Sequence, residues 1–175
     1  MRCDVRCFIA FDFPMEKKAE SLLNELRTNR DMKCVSALHL TINFLGEIAD
    51  ADEAVKAMNG LKKYARFTAH LGGVGAFPDE KRARVIWLGV SDNGASTKMA
   101  EDLCKELKNC DRPFVPHITL ARVREGGDRK AAQDFVIKHK DVEVGTYEIQ
   151  KVFLKKSTLT PVGPIYENLY EIELD

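Results

Sequence analysis

Two short stretches of this chain carry the same pattern of reactive side chains. Leu38-His39-Leu40-Thr41-Ile42 and Pro116-His117-Ile118-Thr119-Leu120 both read His, apolar, Thr, apolar. Their histidines lie 78 residues apart, close to half of the 175 residues. On a β-strand, residues two apart share a face, so each stretch points an imidazole and a hydroxyl to one side. Two imidazoles can divide proton work, one giving and one taking, because histidine titrates near neutral pH. Two hydroxyls can donate to the nonbridging oxygens of one anion held between them. As neutral donors they do so without opposing imidazole protonation as a cation would. Acid–base cleavage of a phosphodiester uses this set of parts. A single His-x-Thr is common by chance; two copies, each in an apolar strand near matching halves of the chain, are not.

Competing chemistries lack their residues. Each stretch supplies one good metal ligand, and threonine is a poor one. No Asp, Glu or Cys stands two or four residues from either histidine, so no metal is expected. The five cysteines, at 3, 7, 34, 104 and 110, are odd in number and form no Cys-x-x-Cys pair. They read as reduced thiols: Cys7 and Cys104 as small buried hydrophobes in a strand and a helix, Cys34 and Cys110 as loop residues. Gly72-Gly73-Val74-Gly75 is no phosphate loop, since no Lys-Ser/Thr follows and no helix opens there. His70 and His139 read as structural or merely exposed.

The elements that must position the two stretches follow from periodicity. Val5, Cys7, Ile9, Phe11 and Phe13 alternate along a strand that ends at Pro14. A helix over 15–29 carries Ala19, Leu22, Leu23 and Leu26, and strand 38–45 is closed by Gly46. Asp50 or Asp52 caps a helix with Val55, Met58 and Leu61. Strands at 67–75 and 83–90 flank the turn Phe77-Pro78-Asp79-Glu80. A helix over 95–108, a strand over 115–123, a helix near 128–138 and strands near 142–155 and 165–174 complete the chain. Helices interleaved with adjacent strands predict an α+β fold with antiparallel or mixed sheets.

Composition bounds the partners. Lys plus Arg and Asp plus Glu both number 27, which excludes a binder held by bulk positive charge. No stretch approaches the ~20 apolar residues of a membrane span, and the start lacks the form of a signal peptide. A cytoplasmic protein of one domain, without membrane contact, is the expectation.

The sequence resembles the two-histidine phosphoesterases, specifically the RNA 2′,3′-cyclic phosphodiesterase family also called 2′-5′ RNA ligase. The likeness runs through Arg6-Cys7-Phe8-Ile9-Ala10-Phe11-Asp12, Leu38 to Gly46, Gly73 to Pro78, Arg84 to Val90, Phe114 to Arg122, Ser157-Thr158-Leu159 and Gly163-Pro164-Ile165-Tyr166, in the family's order. It departs at Lys33-Cys34-Val35-Ser36-Ala37, where the family commonly has a Trp and a polar residue.

The resemblance implies one two-lobed catalytic domain over 1–175, with pseudo-two-fold symmetry, one motif per lobe and an open cleft between. It implies hydrolysis of a terminal RNA 2′,3′-cyclic phosphate, or of a small cyclic nucleotide, to a 2′-phosphomonoester. No cofactor and no metal are needed, the protein acts as a monomer, and reversible 2′-5′ RNA joining is an associated activity. It makes His39 the proton donor to the departing 3′ oxygen and His117 the proton acceptor from water, with Thr41 and Thr119 holding the phosphate oxygens. Arg122, Tyr166 and Phe44 are further candidates for substrate contact, Arg122 only if its strand bends. Basic residues between Arg112 and Lys130 are candidates for guiding an RNA end. The alternatives are a non-catalytic RNA-end-binding module and a phosphoesterase of the same fold acting on another cyclic nucleotide or RNA 3′ end.

Overall fold

The computed structural model describes residues 5–110 and 112–175. Among these residues nine strands and four α-helices follow in the order β1 (Val5–Phe13), α1 (Lys17–Arg27), β2 (Met32–Cys34), β3 (Leu38–Ile48), α2 (Asp52–Asn59), β4 (Phe67–Phe77), β5 (Val85–Ser91), α3 (Ala95–Leu107), β6 (His117–Val123), α4 (Arg129–Lys138), β7 (Glu143–Ile149), β8 (Lys151–Thr160) and β9 (Gly163–Glu173). They build two sheets, ordered β3-β1-β8-β9 and β2-β6-β5-β4-β7. Every neighbouring pair in both is antiparallel.

The two sheets repeat one arrangement. Setting aside the short edge strand β2, the second sheet reads β6-β5-β4-β7, with β6 where the first has β3 and β5 where it has β1. The helix after β1 crosses to the second sheet, where α1 packs on β2 and β6. The helix after β5 crosses back, and α3 packs on β3. The two motif strands, β3 and β6, lie against each other where the sheets meet. One apolar core results, with Ile9, Leu23, Leu40, Met99, Leu103 and Ile118 all fully buried in it. Burial at this scale supplies the driving force for folding, at ~25 cal/mol per Å² of apolar surface removed from water.

Local chemistry ends and starts these elements. Asp92 opens α3, its carboxylate accepting from the N–H groups of Gly94 and Ser96 at 3.1 and 3.2 Å. Asp128 opens α4 by accepting from the Ala131 N–H at 2.9 Å. Both satisfy amides that a helix start leaves without intrahelical partners.

Four expectations need correction. Gly46 does not close the third strand: it takes φ +71° opposite Cys7, and β3 runs on to Ile48. The expected strand at 142–155 is two, split at Gln150 between different sheets. Cys34 is not a loop residue: it ends the edge strand β2, which is only three residues long. Cys104 and Cys110 are not reduced thiols but a disulfide. Helix α3 ends at Leu107, and Lys108 turns left-handed, which folds the chain back so that residues six apart meet. Cys7 and Cys34 are free, and burial pushes both thiols above their ordinary values, so neither is an activated nucleophile. Cys3 lies outside the described residues.

Candidate active site

Strand period puts His39 and Thr41 on one face of β3, with Leu40 buried behind them. His117 and Thr119 share a face of β6 over buried Ile118 in the same way. A bulge follows each threonine. Against β1, Ala10 pairs with Thr41 and Ile9 with Asn43, leaving Ile42 as the extra residue. Against β5, Trp87 pairs with Thr119 and Ile86 with Ala121, leaving Leu120 extra. An extra residue reverses strand alternation beyond it. Ile42 and Asn43 are therefore both buried, as are Leu120 and Ala121. Phe44 and Arg122, the third residue after each threonine, return to the histidine face.

Three residues take their direction from these bulges. The strand does bend, and Arg122 stands exposed on the histidine face. Phe44 is not core: it is 53% exposed, with the Arg6 guanidinium 5.1 Å from its ring centroid. Asn43 turns inward and exchanges amide hydrogen bonds with Asn109.

The two histidines sit in different surroundings. The His117 Nδ1 lies 2.7 Å from the Val115 carbonyl oxygen. A carbonyl can only accept, so Nδ1 carries the proton and a neutral ring presents a free lone pair on Nε2. Phe77 stands edge-on to this ring at 4.9 Å, and Trp87 lies at 6.5 Å. Trp87 in turn lies over Gly75, where a Cβ would come within 2.2 Å of the indole. Only glycine permits that packing.

His39 is held by rings, with Phe8 and Tyr166 each 5.0 Å away between centroids. Among the described residues no hydrogen bond to its imidazole is found. Burial, and then the Lys155 charge, push its pKa down from 6.5 to about 4, against a smaller opposing pull from Asp12. His39 is therefore neutral in the empty groove. Burial raises the Tyr166 phenol, while Arg122 and Arg6 pull it the other way. Charges from both sheets thus reach one side chain of β9, Arg6 from β1 and Arg122 from β6.

Other candidates lie elsewhere. His70 contacts Thr146 at 3.1 Å and pairs with Glu143. His139 contacts Glu25 at 2.8 Å, joining the end of α4 to α1. Lys130, part of the expected basic run, pairs with Asp134 on its own helix. Two hollows lie between α1 and α4, and between the end of β3 and α2. Neither includes a motif residue; the pairing of reactive side chains is what marks the candidate site. Asp12, Lys155, Phe8, Phe77 and Trp87 escaped sequence reasoning. Phe8 and Asp12 had a signal, since the alternation that buries Cys7, Ile9 and Phe11 turns both to the opposite face.

Residues 14–154 match the 2′-5′ RNA ligase superfamily. The chain belongs to this superfamily. The chain is similar to an RNA 2′,3′-cyclic phosphodiesterase of Methanocaldococcus jannaschii, 34% identical over 95% of this chain and 99% of that protein. Another, from Aquifex aeolicus, is 33% identical over 97% of each. Among solved structures, a Thermus thermophilus protein covers 97% of both chains at TM-score 0.80 and 30% identity. E. coli LigT, complexed with NADP+, aligns over 98% of this chain and 99% of its own at TM-score 0.69 and 26% identity. The fold of these proteins is therefore shared along nearly the whole length.

Proposed function

We propose that this protein is an RNA 2′,3′-cyclic phosphodiesterase in which His39 gives a proton to the departing 3′ oxygen and His117 takes one from the attacking water. Hydrolysis of the cyclic phosphodiester is the activity for which its relatives are named. The observation that carries the residue assignment is the repeat of one local structure: His, Thr and a following bulge on two strands packed together, one from each sheet. In-line displacement puts nucleophile and leaving oxygen on opposite sides of phosphorus, and histidines on opposing strands suit that geometry. The free Nε2 lone pair of His117 suits a base. Thr41 and Thr119 are the donors to the nonbridging oxygens.

Arg122 is proposed to meet the phosphate or the adjacent nucleotide, and Phe44 and Tyr166 to contact a base, because the bulges return Phe44 and Arg122 to the histidine face and the Tyr166 ring stands 5.0 Å from that of His39. Residues 1–175 form one two-lobed catalytic domain, with a core continuous through both sheets in support. Both motifs belong to one chain, so the site needs no second copy, and a monomer is the proposed working form. No metal is assigned, since the motifs offer two imidazoles and two poor ligands. A cytoplasmic location is proposed; no helix among the described residues is long and apolar enough to cross a membrane. The Cys104–Cys110 bond weighs the other way, because reducing compartments seldom keep disulfides.

The test is turnover of a 2′,3′-cyclic mononucleotide and of an oligonucleotide ending in a cyclic phosphate. A 2′-phosphomonoester product supports the reading. Binding of the RNA end without turnover would make the protein an end-binding module instead.

A further inference from the structure

Lys155 is the one cation among the described residues that is buried, at 7% exposure. Taking an ammonium out of water costs several kcal/mol unless it is paired, and an apolar side chain of similar size serves packing as well or better. Its position therefore calls for a reason beyond the fold. Strand β8 directs it to the groove face beside Phe8 of β1. Its Nζ lies 2.8 Å from the Asp12 carboxylate and donates to the Asn168 side-chain oxygen at 2.7 Å. Asp12 is the residue directly opposite His39 in the β1–β3 register. A buried ammonium, paired with a more exposed carboxylate, thus stands beside the catalytic imidazole.

The charged and titratable groups facing His39 are few. From β1 comes Asp12, from β8 Lys155, and from β9 the Tyr166 phenol ring at 5.0 Å. Arg6 of β1 and Arg122 of β6 act on Tyr166 beyond it. Asp12 would be the natural partner of a charged His39, yet its carboxylate is turned to Lys155, and no Asp12–His39 hydrogen bond is found among the described residues. Burial lowers the His39 pKa most, and the ammonium outweighs the carboxylate in the same direction.

We propose that Lys155 is a positioning residue for the acid: it holds the Asp12 carboxylate off the imidazole and keeps His39 unprotonated until a phosphate anion enters the groove. The entering phosphate adds a negative charge beside the ring and offsets the ammonium. His39 then takes a proton from solvent as the substrate seats, and passes that proton to the 3′ oxygen. A proton donor that is neutral in the empty protein is thereby reconciled with its task. Binding of the phosphate and loading of the acid become one event. This inference rests on the reading in which His39 gives the proton.

The test follows the His39 ring proton by NMR titration of the full chain, with His39→Asn identifying the signal. Titrations are run with and without excess adenosine 2′-monophosphate, and cyclic-mononucleotide hydrolysis is assayed separately. The free wild-type midpoint should lie near 4 and rise by ~1 pH unit or more with the nucleotide. Lys155→Met should raise the free midpoint by ~1 unit or more, Lys155→Arg should retain it, and Asp12→Asn should lower it further. If the orphaned Asp12 prevents Lys155→Met from folding, the D12N/K155M protein removes both charges and should still show a rise, though a smaller one. Midpoints that stay at the wild-type value in K155M and D12N/K155M, with hydrolysis normal in the wild type, overturn the inference and leave the function standing. No hydrolysis by the wild type overturns the function, while the midpoints still decide what Lys155 does.

Discussion

Asn43 and Asn109 exchange a pair of side-chain amide hydrogen bonds, at 3.0 and 2.8 Å. Asn43 stands two residues after Thr41, and Asn109 follows α3 on the way to His117. The pair therefore ties the first motif strand to the segment leading into the second. With Asn43 at 8% exposure, removing its partner leaves a nearly buried amide unsatisfied. Asn109→Ala should cost ~1–3 kcal/mol in urea unfolding. A double-mutant cycle with Asn43→Ala should show clear coupling. Additive losses would mean that the two amides are satisfied by other partners.

Thr41→Val and Thr119→Val each remove one donor while keeping shape and strand propensity. If these hydroxyls act chiefly on charge developing in the transition state, kcat should fall ~10²-fold for each. Steady-state kinetics on a cyclic mononucleotide checks this; unchanged kcat in both would make the threonines structural.

His39 also links stability to pH. Its folded pKa, about 4, lies below its ordinary 6.5. The stability it contributes is therefore full above 6.5 and is lost as pH falls from there through 4, by at most roughly 3 kcal/mol. Urea midpoints at pH 7 and pH 4 should differ less in His39→Asn, which carries no titrating ring, than in the wild type. The low-pH limb of kcat/KM, which reports the free protein, should lie near 4, well below an ordinary imidazole. A limb near 6.5 would contradict the burial of His39.

The division of proton work is testable by leaving group. A phenolate leaves with little help, whereas a ribose 3′ oxygen needs a proton. His39→Ala should therefore lose ~10²–10⁴-fold on the cyclic phosphate and much less on an aryl phosphodiester, while His117→Ala loses heavily on both. The opposite pattern of rescue would reverse the two assignments.

Exhaustive chelation should leave turnover intact, because proton transfer and hydroxyl donors complete the proposed reaction without a Lewis acid. Loss of activity in EDTA, with recovery on adding zinc or manganese, would refute that part of the mechanism.

How much of this was legible in the sequence depends on the range of the interaction responsible. That His39 and Thr41 share a face, and His117 and Thr119 share another, follows from the two-residue period of a strand and needs no neighbour. The helices over Ala19–Leu26 and Met99–Leu103 were readable for the same reason, since their apolar spacing is local. The likeness to a known family added the order of the lobes. What lay beyond reach was every feature set by a partner strand. The bulges at Ile42 and Leu120 exist only against β1 and β5, so the return of Phe44 and Arg122 to the groove, and the inward turn of Asn43, could not be counted off along the chain. The Cys104–Cys110 bond waited on where α3 stops. Asp12 and Lys155 lie in strands from opposite ends of the chain, and only sheet register sets them beside His39. A side chain's direction is a local property of the backbone, but its electrostatic surroundings are fixed by whatever the fold brings within a few ångströms.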